Sequence, residues 1–342
     1  MSRSTIDNPP ALRRAATLAL TLAIAVASIV AATQTKSVRL VSTAWPPFTN
    51  QAGQPRFALD LVEAAMTRIG VSTTTSIVEA AEFTPALLTG PFDGSAAAWK
   101  DAERDRALLF SQPYLENRLI LVGRRGSDVS AATLPALTGK RIAIVEGYSY
   151  GEAIDNAGPT FVKSRGEEDS LRLLLTEAVD YMLMDEVVVQ YIADHHAEEA
   201  QTRLQIGSRP LLTRPLHLAV RRTLPDAQSI VDRFNAQLRD MIRDHTYHRL
   251  LHVSWIRADV DGDGVAEYVY ASEQSGPTEP QRAYAVLTAE DLATQPEAGP
   301  KRYFFGGAIY NGWSSVPDRY KVATEQGPDP NRPVARIFTF KW

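Results

Sequence analysis

The sequence has 342 residues, of which 44% are hydrophobic and 22% are charged, so it can bury ordinary hydrophobic cores and is long enough for two or three domains. Its formal net charge at pH 7 is -4, which gives none of the basic field that nucleic-acid-binding proteins usually carry. The composition therefore excludes a disordered chain, disfavours nucleic acid as a partner, and favours small molecules or other proteins.

The first predicted element is an export signal. Two adjacent arginines precede an apolar run at residues 16–32 that ends in small residues, and this order is typical of a secretory signal peptide. Residues 25–27 and 30–32 both offer the small side chains that a signal peptidase reads. An uncleaved membrane anchor is the alternative, because the run approaches the length needed to span a bilayer. We therefore expect residues 1–34 to be a signal peptide or an anchor, and the protein to be periplasmic.

The chain contains no cysteine. An exported chain without cysteine has no disulfide bonds and must be held together by packing alone. It also lacks a site for a lipid-modified N-terminal cysteine. These observations favour a soluble periplasmic protein, which we expect to be a monomer, over a lipoprotein.

Strands and helices then alternate along the chain. Residues 37–43 (SVRLVST) favour a strand, and apolar residues recur at helical spacing in residues 57–70 (FALDLVEAAMTRIG). The alternation continues through a strand at KRIAIVEG, a helix-strand-helix segment at SLRLLLTEAVDYMLMDEVVVQYIADHH, and a late amphipathic helix at residues 230–251. This alternation predicts α/β layers with mostly parallel sheets.

The character of the sequence changes near residue 258. The remaining residues are rich in glycine, proline and aromatic residues, alternate in places with the period of a strand, and contain no long amphipathic helix. We therefore expect residues 258–342 to form a small, mostly β C-terminal extension, separate from residues 35–257.

A charged stretch at residues 101–106 (DAERDR) follows the predicted strand FDGSAAAW. That strand is poor in large side chains, and small residues such as Ser95 let a ligand approach the backbone. An arginine just beyond such a strand is well placed to bind a carboxylate through two parallel hydrogen bonds. Arg104 is therefore either an anion-binding residue or an ion-pair partner at a helix start, where Asp101 suits the positive end of the helix dipole.

Three motifs, in this order, resemble those of the family-3 solute-binding proteins, the periplasmic amino-acid receptors of ABC uptake systems. They are PALLTGPFDGSAAAWKDAERDRALLFSQPY, LTGKRIAIVEGYSYGEA and AVDYMLMDEVVVQYI, and the resemblance runs from about Val38 to Trp255. It implies the two-lobe type II periplasmic-binding fold, with lobe 1 at about 38–123 and 210–257 and lobe 2 at about 124–209. It also implies a receptor without catalytic residues that delivers a small polar ligand to an inner-membrane ABC permease or a sensor.

The resemblance further implies a ligand site between the lobes. In the family, an arginine in a Thr-Pro-Glu-Arg motif binds the ligand's α-carboxylate, and an aspartate after a later strand binds its α-ammonium group; Arg104 and Asp185 hold these positions. The glycine-hydroxyl turn of the second lobe corresponds to Gly147 and Ser149, and an aromatic residue near the first strand to Trp45. Asp185 has an alternative role as a helix N-cap, and Trp45 as a packing residue.

The sequence departs from the family pattern at four positions near this site. Asp101 replaces the usual threonine, Tyr148 replaces a small hydroxyl residue, Ala80 stands where many members carry a second aromatic residue, and Ser42 stands where receptors for basic amino acids often carry an acid. An anionic Asp101 either weakens the binding of acids or points to solvent and caps the helix. The expected ligand is therefore an amino acid or a similar small polar carboxylate, without a defined side chain.

Two other functions are compatible with the same scaffold. One is an enzyme that resembles the cyclic-acid dehydratases of this fold, which would need a buried acid in the cleft; Asp101, Glu146 and Asp185 are equal candidates. The other is a signalling or scaffold module with a degenerate cleft, in which the C-terminal extension carries the interaction.

The C-terminal extension opens with an acidic loop, DVDGDGVAE. Carboxylates at alternate positions, followed by a glycine for a sharp turn, suit Ca²⁺. The ligands that this pattern predicts are Asp259, Asp261, Asp263, the backbone carbonyl of Val265, and Glu267. Tyr270 stands at the twelfth position, where a helix-loop-helix site needs glutamate, so the loop resembles the compact calcium loops that lead into β-strands. A solvated linker without a metal is the alternative.

Overall fold

The computed structural model covers most of the chain. It describes residues 36–155, 157–195, 202–273, 278–280 and 282–321. The expected export signal at residues 1–34 lies outside these ranges, as do residues 322–342 of the C-terminal extension. Where the structure describes the chain, no helix has both the length and the apolar character needed to cross a membrane.

The first lobe is a layer of parallel strands with helices packed on it. Its elements are, in chain order, β1 (Lys36–Thr43), α1 (Phe57–Arg68), β2 (Val71–Val78), α2 (Ala80–Thr89), β3 (Gly94–Trp99), α3 (Ala102–Ala107) and β4 (Leu108–Phe110). Strand β1 runs parallel to β2 and to β3. Helix α1 confirms the predicted helical periodicity, because its apolar face is buried: Ala58, Leu59, Leu61, Val62, Ala65 and Met66.

The chain enters the second lobe along one long strand and returns along another. The elements are β5 (Leu115–Arg124), β6 (Arg141–Val145), α4 (Glu152–Asp155), β7 (Thr160–Ser164), α5 (Glu167–Leu175), β8 (Tyr181–Asp185), α6 (Glu186–His195) and β9 (Leu204–Arg221). Strands β6, β7 and β8 are parallel, whereas β5 and β9 pair antiparallel with each other. The lobe boundaries predicted at about residues 123 and 210 fall within these two connecting strands.

Both lobes share one nine-stranded sheet, because β5 and β9 extend through both of them. The strand order is β2-β1-β3-β9-β5-β8-β6-β7, with β4 paired to β9. This arrangement is the predicted two-lobe α/β fold. Parallel pairing holds in the outer part of each lobe, and the antiparallel pairs are those made by the connecting strands.

The late amphipathic segment forms two helices instead of the single helix predicted at residues 230–251. Helix α7 (Ala227–Arg243) ends at Asp244, and α8 (Thr246–Leu251) begins after His245, whose φ of 58° lies in the left-handed region. The Asp244 carboxylate accepts a hydrogen bond from the Thr246 backbone N–H at 2.9 Å. This local hydrogen bond competes with helix continuation, which apolar spacing alone does not reveal.

The C-terminal extension has its own five-stranded sheet. Its elements are β10 (Trp255–Ala258), β11 (Glu267–Tyr270), β12 (Tyr284–Val286), α9 (Ala289–Thr294), β13 (Arg302–Phe305) and β14 (Ala308–Asn311), with strand order β12-β10-β11-β13-β14. Its sheet is mixed and its core is largely aromatic, with Tyr268, Tyr303 and Phe305 buried together. Strand β10 already begins at Trp255, slightly before the change in sequence character at residue 258.

The extension packs on the connecting strand β5. Arg118 is 7% exposed, lies 2.9 Å from the Glu116 carboxylate, and donates a hydrogen bond to the carbonyl oxygen of Ala283. Its guanidinium carbon is 4.5 Å from the centroid of the Tyr284 ring. The backbone N–H of Ala285 donates to Glu116 at 3.0 Å. A buried cation on the hinge is therefore enclosed jointly by the hinge and the extension.

The extension also contacts both lobes. Glu186, at the start of α6 in lobe 2, accepts a hydrogen bond from the Tyr284 hydroxyl at 3.3 Å and lies 3.5 Å from the Arg282 guanidinium. Arg243, on α7 of lobe 1, donates to the carbonyl oxygen of Val260 at 2.6 Å. The extension consequently spans the hinge region, with polar contacts on either side of it.

Candidate binding cleft

The cleft between the lobes contains a half-open cavity of about 30 Å³. Ligand pockets usually measure about 300–1,000 Å³, so the two lobes lie close together in this structure. Both lobes contribute to the cavity lining, which consists of Ser42, Thr43, Trp45, Phe83, Ala97, Trp99, Arg104, Gly147, Tyr148, Ser149 and Leu216. Four of the predicted ligand-binding residues are in this group: Trp45, Arg104, Gly147 and Ser149.

Arg104 lies in the wall of the cleft and is 3% exposed. Its position is fixed because β3 ends at Trp99, Asp101 caps α3, and Arg104 is the third residue of that helix. The guanidinium donates hydrogen bonds to the Trp99 carbonyl oxygen at 3.1 Å, to the Thr84 hydroxyl at 2.9 Å, and across the cleft to the Gly147 carbonyl oxygen at 3.2 Å. Burial lowers the pKa of Arg104, but a guanidinium stays protonated in proteins. The cleft therefore contains a buried cation that bridges the lobes.

Asp101 caps helix α3 and also reaches the second lobe. Its carboxylate accepts a hydrogen bond from the Arg104 backbone N–H at 2.7 Å and another from the Ser149 hydroxyl, and it lies 3.5 Å from the Arg104 Nε atom. Burial raises the pKa of the Asp101 carboxyl, but these hydrogen bonds outweigh burial and leave its pKa below the usual value. Asp101 is thus anionic, and it holds the Ser149 hydroxyl that was predicted to meet the ligand.

Gly147 forms the tight turn of the second lobe at the cleft. Its φ is 78°, and a Cβ on it would meet the carbonyl oxygen of Ala80 at 2.6 Å. Only glycine satisfies both the left-handed backbone and this close approach. Gly147 therefore sets how closely α2 of the first lobe and the turn of the second lobe come together.

Aromatic rings form most of the remaining wall. The ring centroids of Trp45, Trp99 and Tyr148 are each 5.6 Å from the other two, and Tyr150 lies 5.5 Å from Trp99. Sequence reasoning selected Trp45 but missed Trp99, and it noted Tyr148 only as a departure from the family pattern. The available signal was a tryptophan at the end of a strand otherwise composed of small residues.

Asp185 lies behind this wall and does not line the cavity. Its carboxylate accepts a hydrogen bond from the Val187 backbone N–H at 2.8 Å, which is the N-cap contact of α6, and another from the Asn117 side chain at 3.1 Å. Asn117 in turn accepts a hydrogen bond from the Trp99 indole N–H at 2.8 Å. Burial raises the pKa of Asp185 to about 7. Asn117 and Trp99 thus separate the cavity from the acid that was predicted to hold an α-ammonium group.

Glu167 is a second acid behind the wall, and sequence reasoning did not select it. It begins helix α5, its carboxylate is hydrogen-bonded to the Tyr148 hydroxyl, and burial raises its pKa to about 7, with a further upward contribution from Asp185. Two carboxyl groups of raised pKa therefore lie outside the cavity lining, one bonded to Asn117 and the other to the Tyr148 hydroxyl.

Ser95 has a structural role within β3. Its hydroxyl is completely buried and exchanges hydrogen bonds of 3.2 Å with the backbone N–H and carbonyl of Ala97. The pairing of β3 with β9 shifts register between Ser95 and Ala98, so the hydroxyl satisfies backbone groups at a β-bulge. The structure places Ser95 outside the cavity lining.

The acidic loop of the extension brings carboxylates together. Oxygen atoms of Asp259, Asp261 and Glu267 lie within 4.8 Å of one another. Asp259 accepts hydrogen bonds from the backbone N–H groups of Gly262 at 2.6 Å and Gly264 at 3.1 Å. The loop is therefore wound around its own carboxylates, and its converging oxygens are the hard donors that Ca²⁺ prefers.

Arg302, on the neighbouring strand β13, supplies a positive charge to this loop. Its guanidinium lies 2.7 Å from the Asp263 carboxylate, 3.4 Å from that of Asp261 and 2.8 Å from that of Glu267. Glu267 is fully buried, and Val265, whose carbonyl was a predicted ligand, is 43% exposed. An arginine thus neutralises part of the cluster that the sequence assigned to a metal.

Comparison with known proteins agrees with the fold. The family model for bacterial extracellular solute-binding proteins, family 3, matches residues 38–257. No curated protein is similar enough to count as a match.

Solved structures with the same fold include a periplasmic binding protein of an arginine transport system from Legionella pneumophila. It is 21% identical, with a TM-score of 0.54, and the match covers 64% of this chain and 98% of that one. An amino acid ABC transporter substrate-binding protein from Streptococcus pneumoniae bound to L-arginine is 15% identical, with a TM-score of 0.53, covering 64% and 94%. The GluR0 ligand-binding core from Nostoc punctiforme in complex with L-glutamate is 20% identical, with a TM-score of 0.52, covering 62% and 96%.

Proposed function

The chain belongs to family 3 of the bacterial extracellular solute-binding proteins, and from this premise we propose that it is a periplasmic receptor for an amino acid or a similar small polar carboxylate. The observation that carries this proposal is Arg104, a buried cation in the cleft that reaches the second lobe at the Gly147 carbonyl oxygen. A guanidinium at this place matches the planar geometry of a carboxylate and provides two parallel hydrogen bonds to it.

Ligand binding would stabilise lobe closure through this arginine. In the structure, Arg104 meets neutral oxygens at Trp99, Thr84 and Gly147. A carboxylate that takes over one of these positions is itself an ionised acceptor, so it adds the attraction between opposite charges to a hydrogen bond that now has only a charged donor. Because the site draws on both lobes, the ligand makes its full set of contacts only in the closed form and shifts the equilibrium towards it.

We further propose that the receptor delivers its ligand to an ABC permease or a sensor in the inner membrane. Structural relatives described as components of amino acid ABC transporters support this step. Family members are solute-binding proteins, so we assign the chain no catalytic residue.

The test of the proposed function is thermal melting of the protein against a panel of amino acids, carboxylic acids and small polar metabolites. A ligand present at a hundredfold its Kd stabilises the folded state by about 2.7 kcal/mol, so at least one compound should raise the melting temperature clearly. If no compound shifts the melting temperature, the receptor proposal fails. The favoured function is then a signalling or scaffold module with a degenerate cleft, in which the extension carries the interaction.

For the extension, we propose that the loop at residues 259–267 binds Ca²⁺ as a structural cation. Asp259, Asp261 and Glu267 would hold it, and its charge would offset the repulsion between their carboxylates. Arg302 already provides part of that compensation, so the ion and the arginine share one role.

The calcium proposal predicts a specific pattern in melting experiments. Calcium should raise the melting temperature of the wild type relative to a chelator, and Asp261→Asn should remove this shift. Arg302→Gln should melt earlier in chelator and gain more from calcium than the wild type, because it removes the cation that the described structure pairs with these carboxylates. Identical melting of the wild type in chelator and in millimolar calcium would show that Arg302 alone holds the loop.

A further inference from the structure

Asp101 joins the two lobes through a carboxylate that has two separate contacts. Its Oδ1 atom accepts a hydrogen bond from the Arg104 backbone N–H at 2.7 Å and so caps helix α3 of the first lobe. Its Oδ2 atom accepts a hydrogen bond from the Ser149 hydroxyl of the second lobe. One carboxylate therefore serves both as a helix cap and as a contact across the cleft.

The same Oδ2 atom also lies beside the cation of the cleft. It is 3.5 Å from the Arg104 Nε atom, which is buried and has no hydrogen-bond partner among the described residues. An unpaired buried donor on a cation has a high energetic cost. The two groups that would receive a solute's carboxylate, the Ser149 hydroxyl and the Arg104 guanidinium, thus already face a carboxylate of the chain, but this pairing leaves one donor unsatisfied.

The ion pair of Asp101 and Arg104 holds the turn of the second lobe from two sides. Arg104 donates a hydrogen bond to the Gly147 carbonyl oxygen at 3.2 Å, while Asp101 accepts one from the Ser149 hydroxyl. Each of these hydrogen bonds includes an ionised group and is therefore stronger than one between neutral groups. The chain's own charges are consequently sufficient to draw the lobes together at this turn.

This closed arrangement leaves little room for a solute. The half-open cavity measures about 30 Å³, whereas ligand pockets usually measure about 300–1,000 Å³. A solute must part the lobes to enter, and its carboxylate must displace Asp101 to reach the Ser149 hydroxyl. Solute binding and the contact between Asp101 and Ser149 are therefore alternatives that use the same donor.

We propose that Asp101 is an internal competitor for the solute's carboxylate, which holds the lobes closed through Ser149 and thereby sets the affinity of the receptor. When a solute enters, Asp101 keeps its cap on α3, and the Ser149 hydroxyl and the Arg104 Nε atom bind the incoming carboxylate. This inference rests on the proposed function and goes beyond it, because it assigns control of the site to a residue of the chain itself.

The first experiment measures the distance between the lobes of the full chain without any added solute. The chain has no cysteine, so Thr67→Cys and Thr160→Cys place one spin label on an exposed residue of each lobe. Pulsed electron paramagnetic resonance should show mainly the short, closed distance in this background. Asp101→Ser should lower the ratio of closed to open molecules about tenfold, as expected for the loss of one hydrogen bond to a charged group.

Serine is chosen because it is as good an N-cap as aspartate. Its single side-chain oxygen caps the helix and leaves none for Ser149. Ser149→Ala removes the same contact from the second lobe without touching the cap, so it should open the lobes to a similar extent even if Asp101→Ser does not fold. Glu103→Ser is the control, because it removes an exposed acid from the first turn of the same helix, and it should leave the distance distribution unchanged. Wild-type distances in both Asp101→Ser and Ser149→Ala would overturn the inference.

The second experiment measures affinity by calorimetry for the amino acids of the panel, beginning with L-arginine and L-glutamate. An amino acid that binds the wild type should bind Asp101→Ser about tenfold more tightly, because a larger fraction of the protein is then competent to bind. Glu103→Ser should bind it with unchanged affinity.

The outcomes separate this inference from the proposed function. Equal or weaker binding to Asp101→Ser would overturn the competition and leave the receptor function intact. Binding of no compound to any variant would overturn the proposed function and the competition with it. The distance measurement uses no solute, so it would still decide whether Asp101 holds the lobes closed.

Discussion

Arg104→Met should abolish ligand-dependent stabilisation and lower the free energy of unfolding by about 3 kcal/mol. The variant keeps an apolar side chain of similar length but removes every donor that meets the oxygens of Trp99, Thr84 and Gly147. Breaking a buried ion pair by removing one partner typically costs about 3–5 kcal/mol, and the Asp101 carboxylate at 3.5 Å is partly exposed, which reduces the effect. Urea unfolding measures the loss of stability, and melting with the best compound of the panel measures the loss of binding.

Arg106→Met is the matched control for this experiment. Arg106 lies on the same short helix α3, but its side chain is exposed. The control should change neither the unfolding free energy nor the ligand-dependent shift appreciably, since exposed charges contribute little. An unchanged ligand shift in Arg104→Met would remove Arg104 from the binding site, and the receptor proposal would lose the observation that carries it.

The position of Arg104 could be predicted because it depends on local sequence. A strand of small residues, an aspartate N-cap and a short helix together determine where the arginine lies relative to the end of the strand. The structure has these elements in that order, as β3, Asp101 and α3. The glycine of the second-lobe turn is equally local, because the left-handed φ of Gly147 restricts the residue type. Short-range backbone chemistry of this kind is readable from one sequence.

The aromatic wall could not be predicted in the same way. Trp99 and Tyr148 come from different lobes, and the 5.6 Å between their rings depends on how the lobes close. The environment of Asp185 is also non-local, because Asn117 reaches it from a strand 68 residues earlier in the chain. Sequence position places Asp185 after β8, but it does not show that Trp99 and Asn117 separate it from the cavity.

The docking of the extension is a further non-local feature. Nothing in the sequence near Arg118 indicates that its partners include Ala283 and Tyr284, which lie more than a hundred residues later. The sequence did indicate a separate β extension, because the amino-acid composition and the spacing of apolar residues both change near residue 258. Composition identifies a folding unit but carries no information about the surface on which that unit rests.

Arg118→Met should lower the free energy of unfolding by about 3–5 kcal/mol, because it removes the hinge-strand cation that is paired with the Glu116 carboxylate in a buried ionic cluster. The Arg118 side chain is 9% exposed, and the Glu116 carboxylate at 2.9 Å is 15% exposed. The variant leaves Glu116 without this partner and removes the contact with the Tyr284 ring. Chemical denaturation of the full chain measures the effect.

A double-mutant cycle with Glu116→Gln tests whether the loss comes from this pair. The double variant should be more stable than the two single losses predict, because the unpaired carboxylate is then absent. Arg125→Met, at an exposed arginine that directly follows β5, serves as the control and should change stability little. If Arg118→Met is as stable as the control, the extension rests on the hinge without stabilising it. A large loss would instead mean that hinge strand and extension unfold as one unit, so that any movement of the lobes must occur with the extension attached.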